Sequence, residues 1–516
     1  MGKFKPSRAH TTIFGALIRA RRDFGGKRDA IIDADDRILS YTDIVRASFA
    51  LGSAIKPSTK VRERVGILLP TGAGSILSFF ALQAIGRVPA MLNFTAGAHN
   101  LLAAFKAGQV TKVITAHRFI KIGQLEPLIE KLSPHVEFIY LEDVRDAMTL
   151  KNKIAAVFGS TFPTLFMAKT SWKKPAVILF TSGTEGDPKG VALSHGNLVA
   201  NVEQIIAHID ELYPDTDVVF NPLPTFHCFG LTGGALFPLF AGIKVALYPS
   251  PLHVKIIPER IKKVGTTILF ATDTFLSRYI RSSSDGDFEG IRFAVCGAEQ
   301  VRDETRNLVR RKSDMLILEG YGVTEAAPVI AVNQPSANRK GTVGHFLPAM
   351  EYRIDPVPGI ERGGRLFVRG PNVMMGYITT DNPGVIQEVD GGWHDTGDVV
   401  EIDEDGYVAI RGRVKRFANI GGETVSLAVV ENCACAVWPD NQHVALIRPD
   451  PKKGEQIVLL SDCPAANRTD LRTWAQSHGV SELSLPRKVV IIDEIPLLGT
   501  GKVDYAGAAK KLDELL

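Results

Sequence analysis

Leu179-Phe180-Thr181-Ser182-Gly183-Thr184-Glu185-Gly186-Asp187-Pro188-Lys189-Gly190 sets hydroxyls, glycines and one lysine directly behind an apolar run, residues 176–180. A buried strand is expected to end here, and a helix to begin near Ser194. Between them the glycines let backbone N–H groups converge on phosphate oxygens. The hydroxyls add donors and Lys189 adds a point charge. The string is not a Walker A loop: Pro188 stands where a glycine should precede the lysine, and Gly190 replaces the required serine or threonine. A Gly/Thr-rich turn on its own is usually only a turn. The length and order of this one point to a phosphate site.

Around this string, short β-rich runs alternate with helical patterns. Val65-Gly66-Ile67-Leu68-Leu69 reads as a buried strand, and residues 73–85 supply a helix behind it. Residues 113–115, 245–247, 267–270, 293–295 and 316–318 continue the rhythm, while Leu198, Val202, Ile205, Ile206 and Ile209 share one helical face. The expectation is an α/β fold of mainly parallel sheets with helices. After about residue 340 the texture changes. Gly364-Arg365-Leu366-Phe367-Val368-Arg369-Gly370 and Gly406-Tyr407-Val408-Ala409-Ile410 are short runs bounded by glycine, as in a small antiparallel β subdomain over about 340–413. A basic run, Arg411-Gly412-Arg413-Val414-Lys415-Arg416, then opens a last segment of small-domain length. The expected division is an N-terminal domain, 1–413, and a C-terminal α+β domain, 414–516.

The 516 residues exceed one ordinary core, which supports at least two domains. With 60 Lys and Arg against 56 Asp and Glu, the net charge of +4 is too small to argue for a nucleic-acid partner. Five cysteines make no disulfide framework, and Cys433-Ala434-Cys435 lacks a second pair at zinc spacing, so buried thiols in a reducing compartment are expected. Residues 1–28 carry scattered Lys and Arg without a continuous apolar segment, and Pro6 breaks a myristoylation signal. The largely uncharged stretches 66–86 and 218–243 are punctuated by glycine, and the second also by Pro222, Pro224 and Pro238, so they read as buried strand, loop and helix rather than membrane spans. A cytoplasmic location is expected, with peripheral contact at the inner membrane left open.

Further motifs follow in order: Leu223-Pro224-Thr225-Phe226-His227-Cys228-Phe229-Gly230, Cys296-Gly297-Ala298-Glu299, Tyr321-Gly322-Val323-Thr324-Glu325, Gly341-Thr342-Val343-Gly344, Trp393-His394-Asp395-Thr396-Gly397-Asp398, Gly412-Arg413-Val414-Lys415 and Gly499-Thr500-Gly501-Lys502. Together with the first string they resemble the adenylate-forming superfamily of acyl-CoA synthetases, peptide-synthetase adenylation domains and luciferases, over nearly the whole chain. The resemblance implies that fold, with a mobile C-terminal lid. It also implies ATP-dependent activation of a carboxylic acid as acyl-AMP, with pyrophosphate leaving.

By that resemblance Thr181, Ser182, Gly183, Thr184, Gly186 and Lys189 hold phosphates, and Glu325 with Thr184 holds Mg²⁺. A carboxylate beside a phosphate is repulsive, so a metal between them makes the pairing sensible. Gly297, Ala298 and Glu299 form the adenine turn, Tyr321 stacks on adenine beside Gly322, and Thr324, like Thr184, contacts the phosphates or the ion. Asp398 accepts from the ribose hydroxyls, and Arg413 adds a ribose or phosphate contact. His227 gates the acyl carboxylate, its alternative being a satisfied core histidine. Lys502 approaches the α-phosphate during adenylation and withdraws by rotation about Lys415. Taken singly, each of these has a plain alternative: a solvated loop acid for Glu325, a turn residue for Asp398, a core tyrosine for Tyr321, surface charge for Lys502.

Residues 413–427, with Thr324-Glu325-Ala326-Ala327-Pro328-Val329 and Pro496-Leu497-Leu498-Gly499-Thr500-Gly501-Lys502, look most like the synthetase half of bacterial bifunctional acyl-carrier-protein synthetase/2-acylglycerophosphoethanolamine acyltransferases. Asn419 departs from that branch, where a lysine is expected. The acyltransferase pattern H-x-x-x-x-D is absent: His195 meets Ala200, His227 meets Thr232 and His394 meets Val399. The resemblance therefore implies a fatty acid substrate and holo acyl carrier protein as acceptor, with coenzyme A as the alternative and no lysophospholipid transfer by this chain. Carrier protein is acidic, so Arg411, Arg413, Lys415 and Arg416, or Arg306, Arg310, Arg311 and Lys312, are candidate contacts. Solvated charge is the other reading of both clusters. A non-catalytic nucleotide- or acyl-binding protein is disfavoured because Lys189, Glu325 and Lys502 are all present. Chain length of the acid and oligomeric state are not legible.

Overall fold

The computed structural model describes residues 3–181, 188–420, 423–450, 454–497 and 503–515. Ser182, Gly183, Thr184, Gly186 and Lys502 therefore lie outside the described residues. The chain groups into two units, one of residues 1–340, 344–350 and 369–392, the other of 341–343, 351–368 and 393–516.

The first unit departs from expectation at its defining string. Strand Pro175–Thr181 is followed by a second strand, Lys189–Ser194, and the helix His195–His208 begins only after it. The two strands are antiparallel, with Thr181 opposite Lys189 and Phe180 opposite Gly190. Val191, Ala192 and Leu193 are all buried, so this run shows no alternation to mark it as a strand. Gly190 has a packing reason: a Cβ there would lie 3.0 Å from Ile178 Cγ2 and 3.3 Å from Phe180 Cε1. The helix starts with a capping box between Ser194 and Asn197. In the chain a whole strand, Lys189–Ser194, therefore precedes its N-terminus.

Two large sheets carry this unit. The eight-stranded sheet runs Gln387–Glu388, Gly376–Ile378, Lys189–Ser194, Pro175–Thr181, Val88–Met91, Arg64–Ile67, Lys112–Thr115, Glu137–Tyr140. Its last five strands are parallel and its first three are antiparallel additions. The segment 369–392, expected in the antiparallel subdomain, thus supplies two strands to this sheet. In the nine-stranded sheet the parallel strands lie in the order Leu316–Gly322, Phe293–Cys296, Ile268–Ala271, Val218–Asn221, Lys244–Leu247, Asp29–Ile32. Chain order reverses at Val218–Asn221: the next strand, Lys244–Leu247, pairs on one side and the one after it, Ile268–Ala271, on the other. Such a switch point is where open α/β sheets bind ligands, outside the carboxyl ends of the strands.

One apolar core joins both sheets. Helix Ala73–Ala84 is buried on nearly all sides, as its uniformly apolar and small sequence requires. Residues 218–243, the second uncharged stretch, form a strand, an i→i+5 helical segment Phe229–Leu236 and a helix Phe237–Ala241. No helix among the described residues is long and apolar enough to cross a membrane.

His195 sits in this core, its Nδ1 accepting from the Ile13 N–H at 3.2 Å. Burial pushes its imidazole down to about 4. The unfolded chain binds a proton that the folded chain resists, so this contribution is complete above the ordinary histidine range and is lost as pH falls toward 4. Between about pH 7 and pH 4.5, urea unfolding should lose about 2 kcal/mol more in the wild type than in His195→Gln.

In the second unit, Glu351–Asp355, Gly364–Arg369, His394–Ile402 and Val408–Arg413 form a four-stranded sheet, the last three pairing antiparallel. A five-stranded sheet follows, with helices Leu427–Val437, Arg468–Ser477 and Tyr505–Leu515. None of the five cysteines forms a disulfide, and Cys433 is buried in this unit's core. The whole is an α/β fold of large mixed sheets followed by a small α+β C-terminal portion.

Candidate active site

Three of the sequence motifs come to the same end of the nine-stranded sheet. The His227 segment follows strand Val218–Asn221, the Gly297 turn follows Phe293–Cys296, and Glu325 follows Leu316–Gly322. The three strands run parallel in one sheet. Gly297 allows its turn to press on the second motif, since a Cβ there would lie 3.3 Å from the Phe229 ring. Gly322 is needed for close approach: a Cβ there would lie 2.1 Å from the Pro328 carbonyl oxygen. Ala298 holds a left-handed backbone, φ +73°, where glycine is the usual occupant.

Glu325 lies in the single turn Thr324–Ala326. Two fully buried asparagines fix that turn. Asn201 donates to the Val329 carbonyl at 2.8 Å and accepts from the Val329 N–H at 3.1 Å, while Asn372 donates to the Ala326 carbonyl at 2.7 Å. The Glu325 carboxylate then accepts from Tyr377 O–H at 2.7 Å on Oε1. Tyr377 lies on strand Gly376–Ile378, paired with Val191 one strand over from Thr181. Its ring also lies under the Lys189 ammonium, 5.3 Å from the centroid. Lys189, Tyr377 and Glu325 therefore form one contact chain linking the phosphate string to the second motif set. Thr181 Oγ1 donates to the Lys189 carbonyl at 3.4 Å.

Thr324 Oγ1 lies 3.2 Å from Cys228 Sγ, so the Glu325 turn touches the His227 segment directly. His227 is half-buried, with Nδ1 accepting from the Phe229 N–H at 3.3 Å. A neutral ring making that bond carries its proton on Nε2. The preceding loop is pinned by Thr71, whose Oγ1 donates to the Leu223 carbonyl at 2.8 Å and accepts from the Thr225 N–H at 3.0 Å. Glu299 behaves differently from its neighbours. Its Oε2 accepts from Thr274 N–H at 3.0 Å and Thr274 O–H at 2.8 Å, capping helix Asp273–Ser282. Tyr321 is half-buried in its strand, opposite Ala331.

In the second unit Asp398 and Arg413 stand opposite each other on paired antiparallel strands. Asp398 is buried, and its Oδ1 lies 3.1 Å from Arg413 Nε, whose side chain is 56% exposed. Lys415 is exposed in the turn Val414–Arg416. The basic clusters are largely engaged already: Arg411 pairs with Glu401, Arg416 with Glu431 at 2.7 Å, Arg306 with Glu319, and Lys312 donates to the Ser283 carbonyl at 2.6 Å.

Sequence reading missed Tyr377, Asn201 and Asn372, and gave Cys228 no role within its motif. Asn201 carried a usable signal, a polar residue among Leu198, Val202 and Ile205 on a helix that is otherwise apolar at these positions. Tyr377 had none, because its role depends on a strand pairing across 186 residues of chain.

A model of the family described as AMP-binding enzyme matches residues 19–378. The chain belongs to the AMP-binding enzyme family. It is 28% identical over 341 residues to a long-chain-fatty-acid–CoA ligase of Salmonella typhimurium, over 64% of this chain and 60% of that protein. The chain thus spans about 60% of the length of that curated relative. Its fold is similar to that of the anthranilate CoA ligase AuaEII in complex with anthranoyl-AMP, with a TM-score of 0.82 and 20% identity over 99% of this chain and 100% of that one. It is likewise similar to the O-succinylbenzoate coenzyme A synthetase of Bacillus subtilis in complex with ATP and magnesium ion, at a TM-score of 0.78 and 21% identity over 95% of this chain and 98% of that one. These two likenesses establish the adenylate-forming fold.

Proposed function

We propose that this family member activates a long-chain fatty acid as acyl-AMP at the expense of ATP and passes the acyl group to the thiol of coenzyme A. The observation that carries this reading is the Lys189–Tyr377–Glu325 contact chain at the carboxyl ends of parallel strands. Acyl-AMP formation joins two anions, so the protein's task is positioning and charge neutralisation. Lys189 supplies one positive charge. Glu325 offers a carboxylate whose Oε1 is oriented by Tyr377 and whose Oε2 has no partner among the described residues. That donor set fits Mg²⁺, which characteristically takes one or two carboxylates plus substrate phosphate oxygens. Bound there, the ion would offset charge on the phosphates.

His227 Nε2–H would meet the acyl carboxylate, and Tyr321 the adenine. Asp398 and Arg413 would take the ribose, and Lys502, with Thr184, the phosphates. Residues 414–516 would swing about Lys415 between the two half-reactions. Free thiols throughout the chain fit a reducing compartment, and the cytoplasm is the proposed location.

A second reading makes holo acyl carrier protein the acceptor. It is supported by the pattern of residues 413–427, whereas the relatives that align are coenzyme A ligases. ATP–pyrophosphate exchange across carboxylic acids, followed by competition between coenzyme A and holo carrier protein, separates them. Exchange should rise with long-chain acids and thioester should form on coenzyme A. Exchange with no fatty acid removes the substrate assignment, and thioester on carrier protein alone installs the second reading.

A further inference from the structure

Helix Leu150–Thr161 is built inside out. It opens with a capping box between Thr149 and Asn152, so local sequence sets its start. An ordinary surface helix turns its large apolar side chains inward. Here the inward face is Asn152, Ala156, Gly159 and Ser160: Asn152 Nδ2 donates to Ser53 Oγ at 3.0 Å, and a Cβ on Gly159 would lie 2.5 Å from the Phe49 ring. The small residues bring this helix hard against Tyr41–Ile55. Its large apolar residues, Leu150, Ile154, Val157 and Phe158, are consequently left outside, 47–72% exposed. Pro163–Phe166 extends the same surface through Leu165 and Phe166, at 75% and 53%.

Beyond the acidic helix Leu141–Asp146, the charge along this segment itself has one sign. At helical spacing Lys151 and Lys153 flank the apolar stripe on opposite sides, and both are exposed. Residues 147–184 contain five lysines, at 151, 153, 169, 173 and 174, and no aspartate or glutamate. A second copy of this chain would bring the same lysines against themselves. An anionic lipid surface instead takes apolar side chains below its headgroups and lysines among its phosphates.

We propose that residues 150–166 dock the protein on an anionic bilayer, lying in the interface with Phe158 and Leu165 inserted and Lys151 and Lys153 on the headgroups. The inference is independent of the reaction and does not rest on the proposed substrate. Vesicles of phosphatidylglycerol and phosphatidylcholine in equal parts, or of phosphatidylcholine alone, are sedimented with the full chain. Binding is expected to the mixed vesicles and to weaken with salt. Lys151→Gln and Lys153→Gln should each lower partitioning about fivefold. The double variant Phe158→Ser, Leu165→Ser should lower it at least about tenfold, with an unchanged circular-dichroism spectrum and thermal midpoint because both side chains are exposed. Equal binding by the double variant and the wild type overturns the proposal, as does failure to bind mixed vesicles at low salt. A wild type that sediments as a dimer without lipid, dissociated by the double variant, also overturns it, by giving the face to a second copy.

Discussion

In ATP–pyrophosphate exchange, Glu325→Gln is expected to lose about 10²–10³ of the wild-type rate. Glutamine keeps the shape of the side chain and can still accept the Tyr377 hydroxyl, so the turn held by Asn201 and Asn372 should stay in place. What disappears is the negative charge that would hold a cation against the phosphates. The magnesium concentration for half-maximal exchange should rise with it. Tyr377→Phe makes the informative contrast. It keeps the ring beneath Lys189 but frees the carboxylate to turn, and a loss of about tenfold with little change in magnesium requirement is expected. Exchange by Glu325→Gln within a few-fold of wild type at limiting magnesium would remove Glu325 from the reaction.

The second large effect concerns Lys502. Lys502→Ala should lower adenylation at least about 10³-fold while acyl transfer from supplied acyl-AMP to coenzyme A stays within a few-fold. The asymmetry follows from the proposed swing: the lysine is needed where two anions meet and has no task once pyrophosphate has left. Lys415→Pro tests the pivot itself and should alter the two half-reactions unequally. Equal loss in both half-reactions with Lys502→Ala would show a lysine that supports the fold rather than the chemistry.

The sequence made some layers legible and left others dark for definite reasons. Strands at Arg64–Ile67, Lys112–Thr115, Phe293–Cys296 and Leu316–Gly322 stand out as short apolar runs, since a buried parallel strand needs no alternation. The same property hid Lys189–Ser194, which follows a turn-rich string too closely to be told from its continuation into the helix. Glu325 and His227 were marked by their neighbours in the chain. Their closeness, through Thr324 and Cys228, is a product of sheet order. Glu299 shows the opposite limit. It stands within the motif expected to contact adenine, yet its carboxylate caps a helix, which only the position of Thr274 reveals. The basic clusters looked available in sequence because their acidic partners, Glu319, Glu401 and Glu431, lie elsewhere along it.

Strand Gly376–Ile378 reaches back across the chain to pair with Lys189–Ser194, and 351–368 and 393–516 around it belong to the other unit. During synthesis the ribosome must therefore release almost three quarters of the polypeptide before the eight-stranded sheet can close its edge. Until then Lys189–Ser194 presents an unpaired, apolar rim, the kind of rim that recruits other nascent chains. A fragment ending near residue 350 should be captured by chaperones or precipitate. One carried through residue 392 should protect that rim with its own strand.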